Sequence, residues 1–228
     1  MSARMIVVLL CVCVAVSALI LYTGATNTSP ANAPAPSQGE RLTPPPPPPA
    51  ADPVAATTAA APTSAEIRAV VARIYKDAAT VDESRARAFA VGDFNGDQSQ
   101  DIAILIRPVK GKLSQLNDEY ANWMIQDPLI NSRTDPRPNA PHPAPVKIEP
   151  NDVLLTIVHG YEEEGWRNRL ATQTYLLRNA GGDDLERLSA QQAGAARTRG
   201  DVLRETLAGK SGFIYWTGSK YTWQAAQQ

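Results

Sequence analysis

The chain has 228 residues, with 22 lysines and arginines against 23 acids, 43% hydrophobic residues and two cysteines. A near-neutral charge without a basic run excludes the electrostatic footprint of a nucleic-acid binder, so no nucleic-acid partner is expected. Both cysteines, Cys11 and Cys13, lie in one apolar run near the N-terminus, so whatever folds after that run does so without disulfides.

Composition changes sharply along the chain, and three segments follow. Residues 1–22 contain "MIVVLLCVCVAVSALILY", 18 uncharged and almost wholly apolar residues preceded by Arg4. Such a run is either a membrane-spanning signal anchor or a long signal peptide; its length lies nearer the span of about 20 residues than a signal core of about 7–15. Arg4 on the short side, with no further cation before Arg41, predicts a cytoplasmic N-terminus and a translocated remainder. The expectation is a single-pass membrane protein whose C-terminal domain stands in the periplasm or outside the cell, with the N-terminal helix as its membrane contact. A small residue does not precede either cysteine, which argues against a lipoprotein signal.

Residues 23–62 are rich in proline and alanine, with six consecutive prolines from Pro44 to Pro49. The segment cannot bury a core and reads as a disordered, semi-rigid polyproline stalk, either a spacer or a docking site for a proline-binding partner. Residues 63–228 read as one extracytoplasmic α+β domain with a mainly antiparallel sheet and one or two helices.

In "TSAEIRAVVARIY", Thr63 and Glu66 have capping-box spacing, and Ile67, Val70, Val71 and Ile74 recur at helical intervals, predicting an amphipathic helix to about Ala78. Strands are predicted at "RAFAV" and "DIAILI", at Val153 to Val158 and at Thr174 to Leu177, with a C-terminal hairpin at "FIYWTGSKYTW". Leu113, Leu116, Tyr120 and Trp123 are spaced like the face of a second helix, and the seven prolines from Pro128 to Pro150 predict a surface loop.

Between the first two strands lies "VGDFNGDQSQDIAIL", with Asp93, Asn95, Asp97 and Asp101 at positions 1, 3, 5 and 9 of a loop. Calcium takes six to eight hard oxygens at about 2.3–2.6 Å, and side chains at alternate positions of a short loop supply them when they converge. An EF-hand starts this way but needs glycine at position 6 and glutamate at position 12, where this chain has Gln98 and Ile104. The D-x-N-x-D-x-x-x-D pattern between two strands resembles the calcium loop of FG-GAP and VCBS-type repeats over Val91 to Leu105. That resemblance implies a structural calcium site at Asp93, Asn95, Asp97 and Asp101. Gln98 replaces the glycine usual in that family, and one loop cannot build a propeller, so the likeness carries the loop and not the fold. A metal-free turn, with Asx side chains bonding their own backbone, is the alternative.

Other candidate chemistry is thin. "GKS" at Gly209 to Ser211 lacks the first glycine of a phosphate-binding loop, where Arg204 stands, and leads into a strand-like run rather than a helix. His142 and His159 have no ligand-spaced companions, and no serine or cysteine has the setting of a nucleophile. The four tryptophans read as core filling or, if exposed, as sugar-stacking surfaces, and Tyr221 and Trp223 share one face of the last strand. Two functions follow from the sequence. One is a membrane-tethered binding or interaction module with a structural calcium loop and a protein or glycan partner. The alternative is a cell-envelope enzyme acting on glycans, which would need two acids about 5–9 Å apart in a cleft.

Overall fold

The computed structural model describes residues 60–131, 144–182, 185–194 and 198–226. All lie within a compact unit, Thr57–Gln228. The apolar run, the stalk and His142 fall outside the described residues, and among those described no helix is long and apolar enough to cross a membrane.

In chain order the elements are α1 (Ser64–Tyr75), β1 (Ala79–Val81), β2 (Phe89–Gly92), β3 (Asp101–Pro108), α2 (Leu113–Leu116), β4 (Trp123–Gln126), α3 (Pro128–Asn131), β5 (Leu154–Val158), β6 (Thr174–Arg178), β7 (Glu186–Leu188), β8 (Val202–Leu207), β9 (Lys210–Trp216) and β10 (Tyr221–Ala225). They form a domain of mostly antiparallel sheets with few helices. Instead of the single sheet expected there are two: β1-β3-β5-β6-β4, with β2 also paired to β3, and β10-β9-β8-β7. Every pairing is antiparallel except β4 with β6.

The first helix starts as its sequence dictates. Thr63 accepts a hydrogen bond from the Glu66 amide at 3.2 Å, and the Glu66 carboxylate accepts one from the Thr63 amide at 2.8 Å. It stops at Tyr75, short of Ala78, because Lys76 turns to φ 56° and the chain enters β1. Ile67, Val70, Val71 and Tyr75 are its buried face.

β3 explains the three-layer arrangement. Ile102, Ile104 and Ile106 join the α1 residues in one core, whereas Ala103 and Leu105 join a second core with Leu203, Leu207, Ile214 and Tyr221 of the smaller sheet. Successive strand residues point to opposite faces, so a strand covered on both sides must be apolar throughout. "IAILI" is the sequence trace of a central layer between helix and second sheet.

The second predicted helix is corrected. Only Leu113–Leu116 is helical; Tyr120 is 92% exposed, and Trp123 belongs to β4, in parallel register with Thr174. Asn117 and Asp118 break the pattern. The Asn117 side chain exchanges hydrogen bonds with the backbone of Ile148 at 3.0 and 2.8 Å, and Asp118 accepts from the Tyr120 amide at 2.9 Å. These short side chains offer the backbone an alternative to the helix. The proline-rich loop begins as α3, capped by Asp127, and carries a buried Ile148.

Candidate metal centre

The loop joining β2 to β3 lies at the seam of the two sheets. Asp93 takes three backbone amides: Gly96 at 2.7 Å and Asp97 at 3.1 Å on Oδ1, and Gln98 at 2.9 Å on Oδ2. Asn95 Oδ1 accepts from the Asp97 amide at 3.0 Å, and Asp97 Oδ1 from the Ser99 amide at 2.8 Å. The loop is thus a run of Asx turns, each polar side chain folding the next peptide over itself. Asn95 Nδ2 donates to Asp97 Oδ2 at 2.7 Å, the direct contact between two of the predicted ligands.

Asp101 plays a different part. It is fully buried, and its carboxylate accepts from Phe94 at 2.7 Å, Asn95 at 3.2 Å and, across the sheet, Gly160 at 2.6 Å. No lysine or arginine pairs with it among the described residues. Burial, reinforced by the charges of Asp97 and Asp93 and opposed by the Gly160 and Phe94 amides, pushes its carboxyl up to about 7. A buried carboxylate without a counter-charge is compensated by hydrogen bonds, by a proton or by a cation, and here three amides supply the first.

The surroundings clamp the loop by close backbone approach. At Gly200 a Cβ would overlap the Asp93 carbonyl and stand 2.8 Å from the Gly96 nitrogen, and at Gly165 (φ 60°) it would stand 2.5 Å from the Gln100 carbonyl. Asp201 adds a tie to the smaller sheet: its Oδ2 accepts the Asp93 amide at 3.0 Å and the Arg187 Nε at 2.8 Å. Sequence reasoning passed over Asp201, Gly160 and Gly200, since contacts between segments about 60 to 108 residues apart leave no local pattern.

The predicted ligands therefore share a loop but not a common point. Among the described residues no three His, Cys, Asp or Glu side chains are gathered to hold a metal ion. Asp93, Asn95 and Asp97 turn their oxygens onto amides of the loop, while Asp101 faces Phe94 and Gly160. The donor chemistry nonetheless fits a hard cation. A carboxylate has about four acceptor positions, whereas Asp97 uses two and Asp93 and Asp101 three each.

Gln98 shows where the loop wants glycine. It adopts φ 73°, the left-handed region, as does Gly96 at φ 76°. For a residue with a Cβ that conformation costs about 1–2 kcal/mol. Gln98→Gly is expected to stabilise the protein by about 1 kcal/mol in urea denaturation, and an unchanged midpoint would mean the strain is relieved elsewhere.

Behind the loop is a buried aromatic group. His159, at the end of β5, is 2% exposed and shares a 2.7 Å hydrogen bond between Nε2 and the Tyr221 hydroxyl. Tyr175 and Trp216 pack on it at ring-centroid distances of 4.9 and 5.2 Å. Burial pushes its imidazole down to about 4. The Tyr221 and Trp223 face thus closes into the second core rather than opening as a binding surface, and Trp166 is buried as well. In the groove lined by both Asp77 and Glu83, each acid is held in an ion pair at 2.8 Å, with Lys112 and Arg68 respectively.

No protein-family model, curated protein or solved structure matches this chain.

Proposed function

We propose that the protein is a membrane-tethered, extracytoplasmic binding or interaction module whose β2–β3 loop takes a structural calcium ion. The observation that carries the calcium reading is Asp101, a fully buried carboxylate with no basic partner among the described residues, beside Asp93 and Asp97. A divalent cation would relieve the repulsion among the three acids and supply the counter-charge. Asp93, Asn95, Asp97 and Asp101 would hold it after rotation of the first three side chains, Asp101 keeping its three amides and Asn95 Nδ2 leaving Asp97 so that the oxygens face one point. Its effect would be to pin the seam where Asp201 and Gly160 bring both sheets to the loop. The apolar N-terminal run supports the tether and the proline-rich stalk the distance from the bilayer.

The test is thermal unfolding with calcium and with chelator. An ion that binds only the native state at a hundredfold excess over Kd stabilises by about 2.7 kcal/mol, a rise of about 5–10 °C for a domain of this size. Asp97→Ala should abolish the response, and magnesium should give less of it, since it demands a tighter octahedron. Identical melting curves with calcium and with chelator would reduce the loop to a polar turn.

A further inference from the structure

A second site candidate lies on the outer side of α1, away from the calcium loop's carboxylates. A cavity of about 630 Å³ is lined by Arg73, Arg167 and Arg169 with a single acid, Glu66. The acid is already engaged. Glu66 pairs with the Arg167 Nε at 2.8 Å and caps α1 through Thr63, and these contacts hold its carboxyl down at about 2.

The other two guanidinium groups have no carboxylate partner among the described residues. Arg73 is locked in position by three backbone carbonyls, Asn168 at 2.9 Å, Trp166 at 3.1 Å and Ala171 at 3.3 Å. Its Nε–H is buried without an acceptor. Arg169 is exposed and lines the same cavity, and burial first and then the Arg169 charge disfavour the charge of Arg73. Two like charges held together over a concave surface are unfavourable in isolation and favourable around an anion. Three of the five N–H groups of Arg73 are taken by those carbonyls, so what it offers an anion is chiefly a charge already fixed in place, which lowers the ordering cost of binding. The rest of the wall is apolar, Ala69 and Val70 on α1, and Arg167 stacks on Trp166 at 4.2 Å from the ring centroid.

We propose that this cavity binds an organic oxyanion, a carboxylate or phosphate group carried on an apolar body, with Arg73 and Arg169 holding the anionic end and the α1 wall the apolar end. A bare ion would leave the apolar wall wet, which is why the class is an amphipathic anion rather than phosphate alone.

The test is calorimetric titration of the full-length protein with phenyl phosphate, 3-phenylpropionate, inorganic phosphate and benzyl alcohol. One or both aromatic anions should bind with a Kd below about 10 mM, and the tighter of the two identifies the preferred oxyanion. Inorganic phosphate and benzyl alcohol should bind at least about tenfold more weakly, each lacking one half of the recognition. Arg169→Ala, an exposed change that leaves the fold intact, should weaken the aromatic anion about tenfold, the loss of one charge-assisted contact. Absence of binding by both aromatic anions, equal binding of benzyl alcohol or of inorganic phosphate, or an unchanged affinity in Arg169→Ala would each overturn the proposal. Trp166 and Arg167 of the cavity wall hydrogen-bond Gln100 in the β2–β3 loop, but neither the probes nor the variant alters Asp93, Asn95, Asp97 or Asp101, so failure here leaves the calcium reading untouched.

Discussion

Replacing Asp101 with alanine is expected to destabilise the protein by about 3 kcal/mol or more, well beyond a change at any of the other three predicted ligands. The carboxylate accepts three amides, Phe94, Asn95 and Gly160, at a site with no solvent access. Alanine would strand those donors, and each buried unsatisfied donor costs about 1–3 kcal/mol. Asp97→Ala, by contrast, removes an exposed carboxylate whose partners, the Ser99 amide and Asn95 Nδ2, lie nearer water, so its cost in the absence of calcium should stay near 1 kcal/mol. Urea denaturation with chelator present would separate them. Equal costs would mean that Asp101 is not the anchor of the seam. The two variants also part the roles, since both should lose the calcium response while only one loses the apo fold.

The features readable from sequence were those written in local patterns. The α1 start was legible because a capping box is a four-residue signal, and β3 because "IAILI", from Ile102 to Ile106, is apolar at every position. β4 was not. Leu113, Leu116, Tyr120 and Trp123 fit a helical period, yet the chain breaks at Asn117 and Asp118, whose side chains bond backbone at Ile148 and Tyr120. Trp123 then finds its place by pairing in parallel with β6, a tertiary choice that local spacing does not encode. β8 is an instance: in "VLRETL" burial alternates from Leu203 onward, but the middle buried position is Glu205, so the residue types do not show the alternation. The hairpin of β9 and β10 was legible, but its growth into a separate second sheet was hidden for the same reason that Asp201 was. Its tie to the loop runs across 108 residues, and only folding puts the two together.

The acid response should steepen when calcium is added. His159 has a folded pKa of about 4 against about 6.5 for the free imidazole, so the unfolded chain binds the extra proton between those values. Its contribution is present above about pH 6.5 and is lost as pH falls through about 4, about 3 kcal/mol in all. Asp101 runs the other way. Its folded pKa of about 7 lies above the usual 3.8, so the native state holds the extra proton, and its contribution is present at low pH and lost as pH rises through about 7. Between about pH 4 and 6.5 the two slopes oppose each other, and the chelated protein should show nearly constant stability there. Glu66, held down by Arg167, and Asp77, held down by Lys112, lose their contributions only as pH falls below the ordinary carboxylate range. Calcium keeps Asp101 ionised and removes its slope, so the calcium-saturated protein should lose stability steadily from pH 6.5 to 4.5 as His159 dominates. Below about pH 7 calcium binding must also displace the Asp101 proton, which weakens its apparent affinity by about tenfold per pH unit. Urea midpoints at pH 4.5, 5.5 and 6.5, with calcium and with chelator, read both effects. Parallel profiles under the two conditions would mean that calcium does not engage Asp101, and the ligand set would shrink to the exposed half of the loop.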